Sequence, residues 1–195
     1  MQKTTNILLS GVGGQGIILA SKILATGLMN HGYDVKMSEV HGMAQRGGSV
    51  TTQVRFGEKV YSPIIGNGQA DVLIAFEEME TAKWMNYVKP EGTVIINTFR
   101  IPSAPILIGK ADYPEGVVKE ISEKVQDTRV LDAAKLAEEL GNIKAMNVIM
   151  VGALIKGLGL TEIDWEQVIR ALVKEKFVDL NLKAFRMGFD AVHVL

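Results

Sequence analysis

The 195 residues, 47% of them apolar, suffice for one well-buried core, and a formal net charge of −1 from 21 basic and 22 acidic residues excludes a global field for nucleic acid or an anionic membrane. No cysteine is present, which removes disulfides, thiolate metal sites, cysteine nucleophiles and cysteine-held iron–sulfur clusters from the chemistry of this chain. No apolar run approaches the ~20 residues of a membrane span, and the N-terminus passes quickly into strand-like sequence, so a cytoplasmic protein folded as a single domain over residues 1–195 is expected.

The first predicted element is a strand at Ile7–Leu9. It leads through Gly11-Val12-Gly13-Gly14-Gln15-Gly16 into a helix whose apolar residues, Ile17, Leu24 and Leu28 among them, recur until His31-Gly32. Strand, glycine loop and helix in that order suit a phosphate: Gly takes positive φ freely and admits a ligand to the backbone, and a helix start presents unpaired N–H groups. Gly11, Gly13, Gly14, Gln15 and Gly16 are therefore candidate binding residues, with Gln15 adding a side-chain donor. The alternative is that these glycines serve turn geometry alone.

Tyr33–Val40 reads as a second strand, with Glu39 near its end. A second glycine-rich stretch, His41-Gly42-Met43-Ala44-Gln45-Arg46-Gly47-Gly48, follows. Arg46, Gly47 and Gly48 join the candidate site, because a guanidinium fork on a loop suits a phosphate or a partner's carboxylate, the alternative being that Arg46 is a solvated surface arginine. His41 is expected to hydrogen-bond at the loop rather than transfer protons, since the sequence shows no partner acid. Alternating Val50, Thr52, Val54 and Phe56 predict a strand, and Gly57-Glu58 turns it toward Val60 and Tyr61 as a possible antiparallel hairpin. Val72–Phe76 predicts a strong strand, Glu77–Val88 an amphipathic helix, Pro90-Glu91-Gly92 a turn, and Thr93–Asn97 a further strand.

Pro102 and Pro105 imply an extended connection over 100–111, before a short helix at Glu115–Val125. Asp132 caps a predicted helix through Leu140, and Met146–Leu158 reads as a buried helix. Thr161-Glu162-Ile163-Asp164 resembles a capping box opening a helix to Val173, and Phe177–Phe189 gives a last amphipathic helix. The apolar residues Phe177, Leu180, Leu182, Phe185 and Phe189 either dock a partner or pack on the sheet. Met37, Met146 and Met150 are read as core filling, with Met43 set apart in its loop. The succession implies an α/β fold: a mostly parallel, twisted, Rossmann-like sheet with helices on both faces and a helical layer at the C-terminus.

Both glycine segments together resemble the gamma-type domain of the 2-oxoacid:ferredoxin oxidoreductases, and within it the small subunits acting on indolepyruvate. Glu39-Val40-His41-Gly42-Met43-Ala44-Gln45-Arg46-Gly47-Gly48-Ser49-Val50 is the more specific string. Ala70–Glu77, Gly141-Asn142, Asn147 and Gly152-Ala153-Leu154 add to it. The resemblance implies a subunit of an enzyme that oxidatively decarboxylates arylpyruvates with CoA, giving aryl-acetyl-CoA, carbon dioxide and reduced ferredoxin. It places thiamine diphosphate, magnesium and iron–sulfur clusters on a large catalytic (alpha) subunit and none on this chain, no catalytic residue here, and a heteromeric assembly that binds neither nucleic acid nor membrane.

Pyruvate, branched-chain 2-oxoacids and 2-oxoglutarate are alternative substrates. A nicotinamide dehydrogenase is a rival reading, because Glu39 lies near the ~20-residue offset at which an acid meets the ribose in a Rossmann domain. A docking module that touches no cofactor is the third reading. Gly66-Asn67-Gly68, with Asn97 downstream, resembles a thiamine diphosphate signature that lacks its acid, and is read as a turn.

Overall fold

The computed structural model describes residues 4–41 and 47–194. Seven strands form one sheet in the order β2-β3-β1-β4-β5-β6-β7: β1 (Thr5–Val12), β2 (Asp34–His41), β3 (Ser49–Gly57), β4 (Ala70–Ala75), β5 (Val88–Asn97), β6 (Asp127–Leu131) and β7 (His193–Val194). The pairs β1–β4, β4–β5 and β5–β6 are parallel. β3 runs antiparallel to both β1 and β2, and β7 antiparallel to β6.

The antiparallel hairpin is therefore β2–β3 rather than a turn back through Val60 and Tyr61. Only seven residues separate β2 from β3, and so short a connection joins antiparallel neighbours. β3 in consequence inserts between β1 and β2. Interior placement buries it on both faces, which explains why Thr51, Thr52 and Gln53 are buried beside Val50 and Val54. Met37, on edge strand β2, is 36% exposed and fills no core.

Side chains alternate across the sheet as the pleat requires. Ile7, Leu9, Val72, Ile74 and Ile95 meet α1 (Ile17–Asn30), α5 (Ala133–Glu139), α6 (Met146–Leu158), α7 (Trp165–Leu172) and α8 (Val178–Ala191). Leu8, Leu73, Val94 and Ile96 face α2 (Glu78–Trp84) and α4 (Val117–Lys124). Helices thus cover both faces, as expected.

Several boundaries differ from expectation for local reasons. The helix after β4 ends at Trp84, and Pro90-Glu91-Gly92 lies inside β5, where a bulge in the β4 pairing removes the ladder bond that Pro could not make. A short helix, α3 (Ala104–Leu107), replaces the extended connection, with Pro105 tolerated in its first turn. The cap of α7 is Asp164 itself, which accepts from Gln167 N, and Asp132 caps α5 as expected. The apolar stripe of α8 is used internally against α6: Leu182, Ala184 and Phe185 are buried, and Gly152 and Gly188 bring the two backbones together.

Asp34 at the start of β2 accepts hydrogen bonds from Lys36 Nζ and from Val60 N, and these hold its pKa at about 2, below the usual carboxylate range. A depressed folded-state pKa stabilises above the ordinary aspartate value of about 3.9, and the contribution is lost as pH falls through about 2. Urea midpoints of the wild type should therefore fall more steeply than those of Asp34→Asn between about pH 4 and pH 2. Parallel curves would show that Asp34 contributes nothing.

Candidate functional site

From β1 the chain builds the sheet outward through β3 and β2 on one side, and β4, β5 and β6 extend it on the other. The boundary between β1 and β4 is thus the topological switch point, where open α/β sheets leave a crevice beyond the strand ends. Residues 13–16, the glycine loop, sit there. Gly14 and Gly16 have φ of 105° and 82°, a left-handed backbone that favours glycine. Gly16 is also confined: a Cβ would lie 2.4 Å from Asn147 Nδ2, which donates to Gly16 O at 3.2 Å. At Gly11 a Cβ would meet Gln15 Oε1 at 2.7 Å and Phe76 Cβ at 2.9 Å.

The two glycine segments meet here. Gly13 N donates to Gly48 O at 2.8 Å, and Gly47 N donates to Gly13 O at 3.3 Å. Arg46, with Gly42–Gln45, lies outside the described residues, as does the side chain of His41. Gln15 faces inward, and this changes the part its side chain plays. Its Oε1 accepts from Val12 N at 2.7 Å and its Nε2 donates to Phe76 O at 2.7 Å, so the amide fastens the loop to the ends of both β1 and β4. The donor that the sequence offered to a ligand is engaged within the fold.

What the loop leaves open is backbone. The N–H groups of Gly14, Gly16, Ile17 and Ile18 have no acceptor among the described residues, and the first turn of α1 carries no acid to offset its positive dipole end. Two clefts adjoin these donors. One of about 340 Å³ lies toward Ile18 and Val50. The other, about 620 Å³, runs from the loop past Leu19, Phe99, Met146 and Phe177 to Lys144, whose ammonium makes no ion pair among the described residues.

Three carboxylates to which the sequence reading assigned no role of their own, Glu77, Glu78 and Glu80, lie under this edge. Glu77, immediately beyond β4, is fully buried and accepts from Glu80 N at 2.9 Å, Ile101 N at 3.1 Å and Tyr113 Oη at 2.5 Å. Burial and then the Glu77 hydrogen bond push the Tyr113 phenol well above its ordinary pKa, keeping it a neutral donor. Glu78 holds Arg100 through two hydrogen bonds, which raise the guanidinium pKa further. Together they anchor the segment that carries Phe99 and Ile101 into the larger cleft. Glu80 is 1% exposed and accepts from Ser49 Oγ. The available signal was an acid directly after a buried parallel strand; the rest was read only as part of an amphipathic helix over Glu77–Val88.

Residues 6–191 match the family model described as Pyruvate ferredoxin/flavodoxin oxidoreductase. The chain belongs to this family. It is 42% identical to "Indolepyruvate oxidoreductase subunit IorB" of Pyrococcus horikoshii, with 97% of this chain and 96% of that protein covered. Identity is 27% to "Pyruvate/ketoisovalerate oxidoreductases common subunit gamma" of Pyrococcus abyssi, covering 94% and 95%. The keto/oxoacid ferredoxin oxidoreductase gamma subunit of Geobacter sulfurreducens superposes with a TM-score of 0.70 at 26% identity, covering 95% of this chain and 96% of that one.

Membership in the pyruvate ferredoxin/flavodoxin oxidoreductase family agrees with geometry that disfavours the nicotinamide reading and the thiamine diphosphate signature. Glu39 pairs with Thr52, and Thr52 with Leu9, so β3 stands between Glu39 and the glycine strand. Two strand spacings, roughly 9–10 Å, separate it from β1, where a Rossmann ribose acid would sit on the adjacent strand. Asn67 lies in the turn before β4 and Asn97 at the far end of β5, so the two occupy opposite edges of the sheet. Asn97 instead joins Phe76 O to Ala133 N. Among the described residues no helix is long and apolar enough to cross a membrane.

Proposed function

We infer that this chain is the small subunit of an indolepyruvate ferredoxin oxidoreductase, which turns indolepyruvate and related arylpyruvates, with CoA, into aryl-acetyl-CoA, carbon dioxide and reduced ferredoxin. The supporting observation is 42% identity over almost the whole chain to a protein named for indolepyruvate, against 27% to one named for pyruvate and ketoisovalerate. The chain works in a heteromer with a large catalytic subunit in the cytoplasm. That subunit supplies thiamine diphosphate, magnesium and iron–sulfur clusters; a chain without cysteine has no thiolates for a cluster.

The role assigned to the glycine loop is reception of CoA. A diphosphate can accept charge-assisted hydrogen bonds from the open amides of Gly14, Gly16, Ile17 and Ile18 at the positive end of α1. Gly11, Gly13, Gln15, Gly47 and Gly48 shape that cradle, and the role proposed for Arg46, which lies outside the described residues, is to supply a cation to the same anion. Lys144 across the larger cleft and the rings of Phe99 and Phe177 suit an anionic ligand with a planar apolar part.

Co-expression with the large subunit tests the reading, through CoA-dependent ferredoxin reduction with and without this chain. Activity is expected only in the complex, with kcat/KM for indolepyruvate at least about tenfold above that for pyruvate, equivalent to about 1.4 kcal/mol. A preference for pyruvate overturns the substrate, and robust oxidation by the isolated chain overturns the subunit role.

A further inference from the structure

At the C-terminal edge of the sheet lies a carboxylate that neither lines a cleft nor caps a helix. Glu80 stands in the first turn of α2 and is almost completely buried. Its Oε2 accepts from Ser49 Oγ at 2.5 Å and from Trp84 Nε1 at 3.3 Å, and its Oε1 accepts from Lys83 Nζ. Lys83 and Trp84 belong to its own helix. Among the described residues, Ser49 is the one hydrogen-bond partner of this side chain in another element.

Ser49 is the first residue of β3 and stands opposite Val12, the last of β1. Directly before it come Gly48 and Gly47, which exchange hydrogen bonds with Gly13. The contacts therefore run from Glu80 to Ser49, through Gly48 to Gly13, and end one residue short of the open amide of Gly14. Glycines cannot hold this arrangement by side-chain packing, and their backbone is the most permissive in the chain. A buried carboxylate is costly unless it is paired and hydrogen-bonded, whereas an apolar contact would attach α2 to β3 without that cost. What the carboxylate adds is a directional bond at one fixed point.

We propose that Glu80 is a positioning residue for the ligand cleft: by gripping Ser49 it fixes the start of β3, holds Gly47 and Gly48 against Gly13, and so keeps the amides of Gly14 and Gly16 turned to the ligand. The proposal rests on the reading that this loop receives CoA. Lys83 and Trp84 complete the carboxylate's hydrogen bonding from its own helix, leaving Ser49 as the connection that carries its position to the loop.

The test uses the reconstituted two-subunit complex with CoA as the probe. Ser49→Ala and Glu80→Ala are each expected to raise the KM for CoA about tenfold, with kcat and the KM for indolepyruvate within about twofold of wild type. Combining them should match the stronger single variant, since both cut one line of contacts. Glu80→Gln, which keeps an oxygen acceptor for Ser49, should restore most of the CoA affinity. If Ser49→Ala folds and retains the wild-type KM for CoA while Gly14→Val raises it, the positioning role is overturned and CoA reception stands. If neither changes the KM for CoA, the CoA reading falls and the positioning role falls with it. Additive effects of the two alanine variants also overturn the proposal.

Discussion

Gly188→Ala is expected to lower the melting temperature by about 10 °C, because a single methyl cannot enter the contact between α6 and α8. Its Cβ would lie 1.8 Å from Ile149 O, and the facing Gly152 would place a Cβ 2.1 Å from Phe185 O. Both obstacles are backbone atoms inside helices, so neither can rotate away. The helices must separate by more than an ångström, and Ile149, Leu182 and Phe185 lose packing along with them. Overpacking of this kind costs about 3 kcal/mol, and a chain of this length loses roughly 2–4 °C per kcal/mol. Calorimetry measures it directly; a shift below about 2 °C would mean that the two backbones do not approach this closely.

Gly14→Val is expected to cost affinity beyond its cost to folding. Nothing lies within 4 Å of the position a Cβ would take, so there is no clash. A β-branched residue at φ 105° is strained by about 1–3 kcal/mol. Gly14 lines both clefts, so the new side chain also takes up space where a ligand of the loop would sit. Losing two hydrogen bonds to a charged group, each worth about 1.5–3 kcal/mol, corresponds to about 100-fold or more in the KM for CoA. Gly14→Ala should fall between. An unchanged KM in the complex would favour loops that dock the partner subunit without touching CoA.

The legible parts of this molecule were those governed by neighbours in sequence. Strand, glycine loop and α1 follow one another within a few residues, and the Asp132 cap is likewise local. The family resemblance also held, since the match runs over residues 6–191. Sheet order was not legible: strand alternation around Val50–Phe56 cannot say which neighbour β3 takes, and its insertion beside β1 is a tertiary choice. Gln15 looked like a spare donor because its two partners, the donor Val12 N and the acceptor Phe76 O, are recognisable only once β1 and β4 are paired. Glu80 fell within a predicted amphipathic helix and drew no separate reading, because its partner Ser49 lies 31 positions away. The stripe on α8 was ambiguous until Gly152 and Gly188 were seen to admit α6.

The bond from Asn147 Nδ2 to Gly16 O spans 131 positions of sequence. A ribosome that has released everything through β6 has delivered the glycine motif, the strands that flank it and most of the sheet, yet not the residue that braces the loop. The bracing of the loop is then acquired late in translation, when α6 emerges and closes this long-range contact, rather than when the motif itself is made. A nascent chain released only through β6 would therefore carry the complete glycine motif with its loop still unbraced, and the loop would gain its long-range support only once α6 was in place.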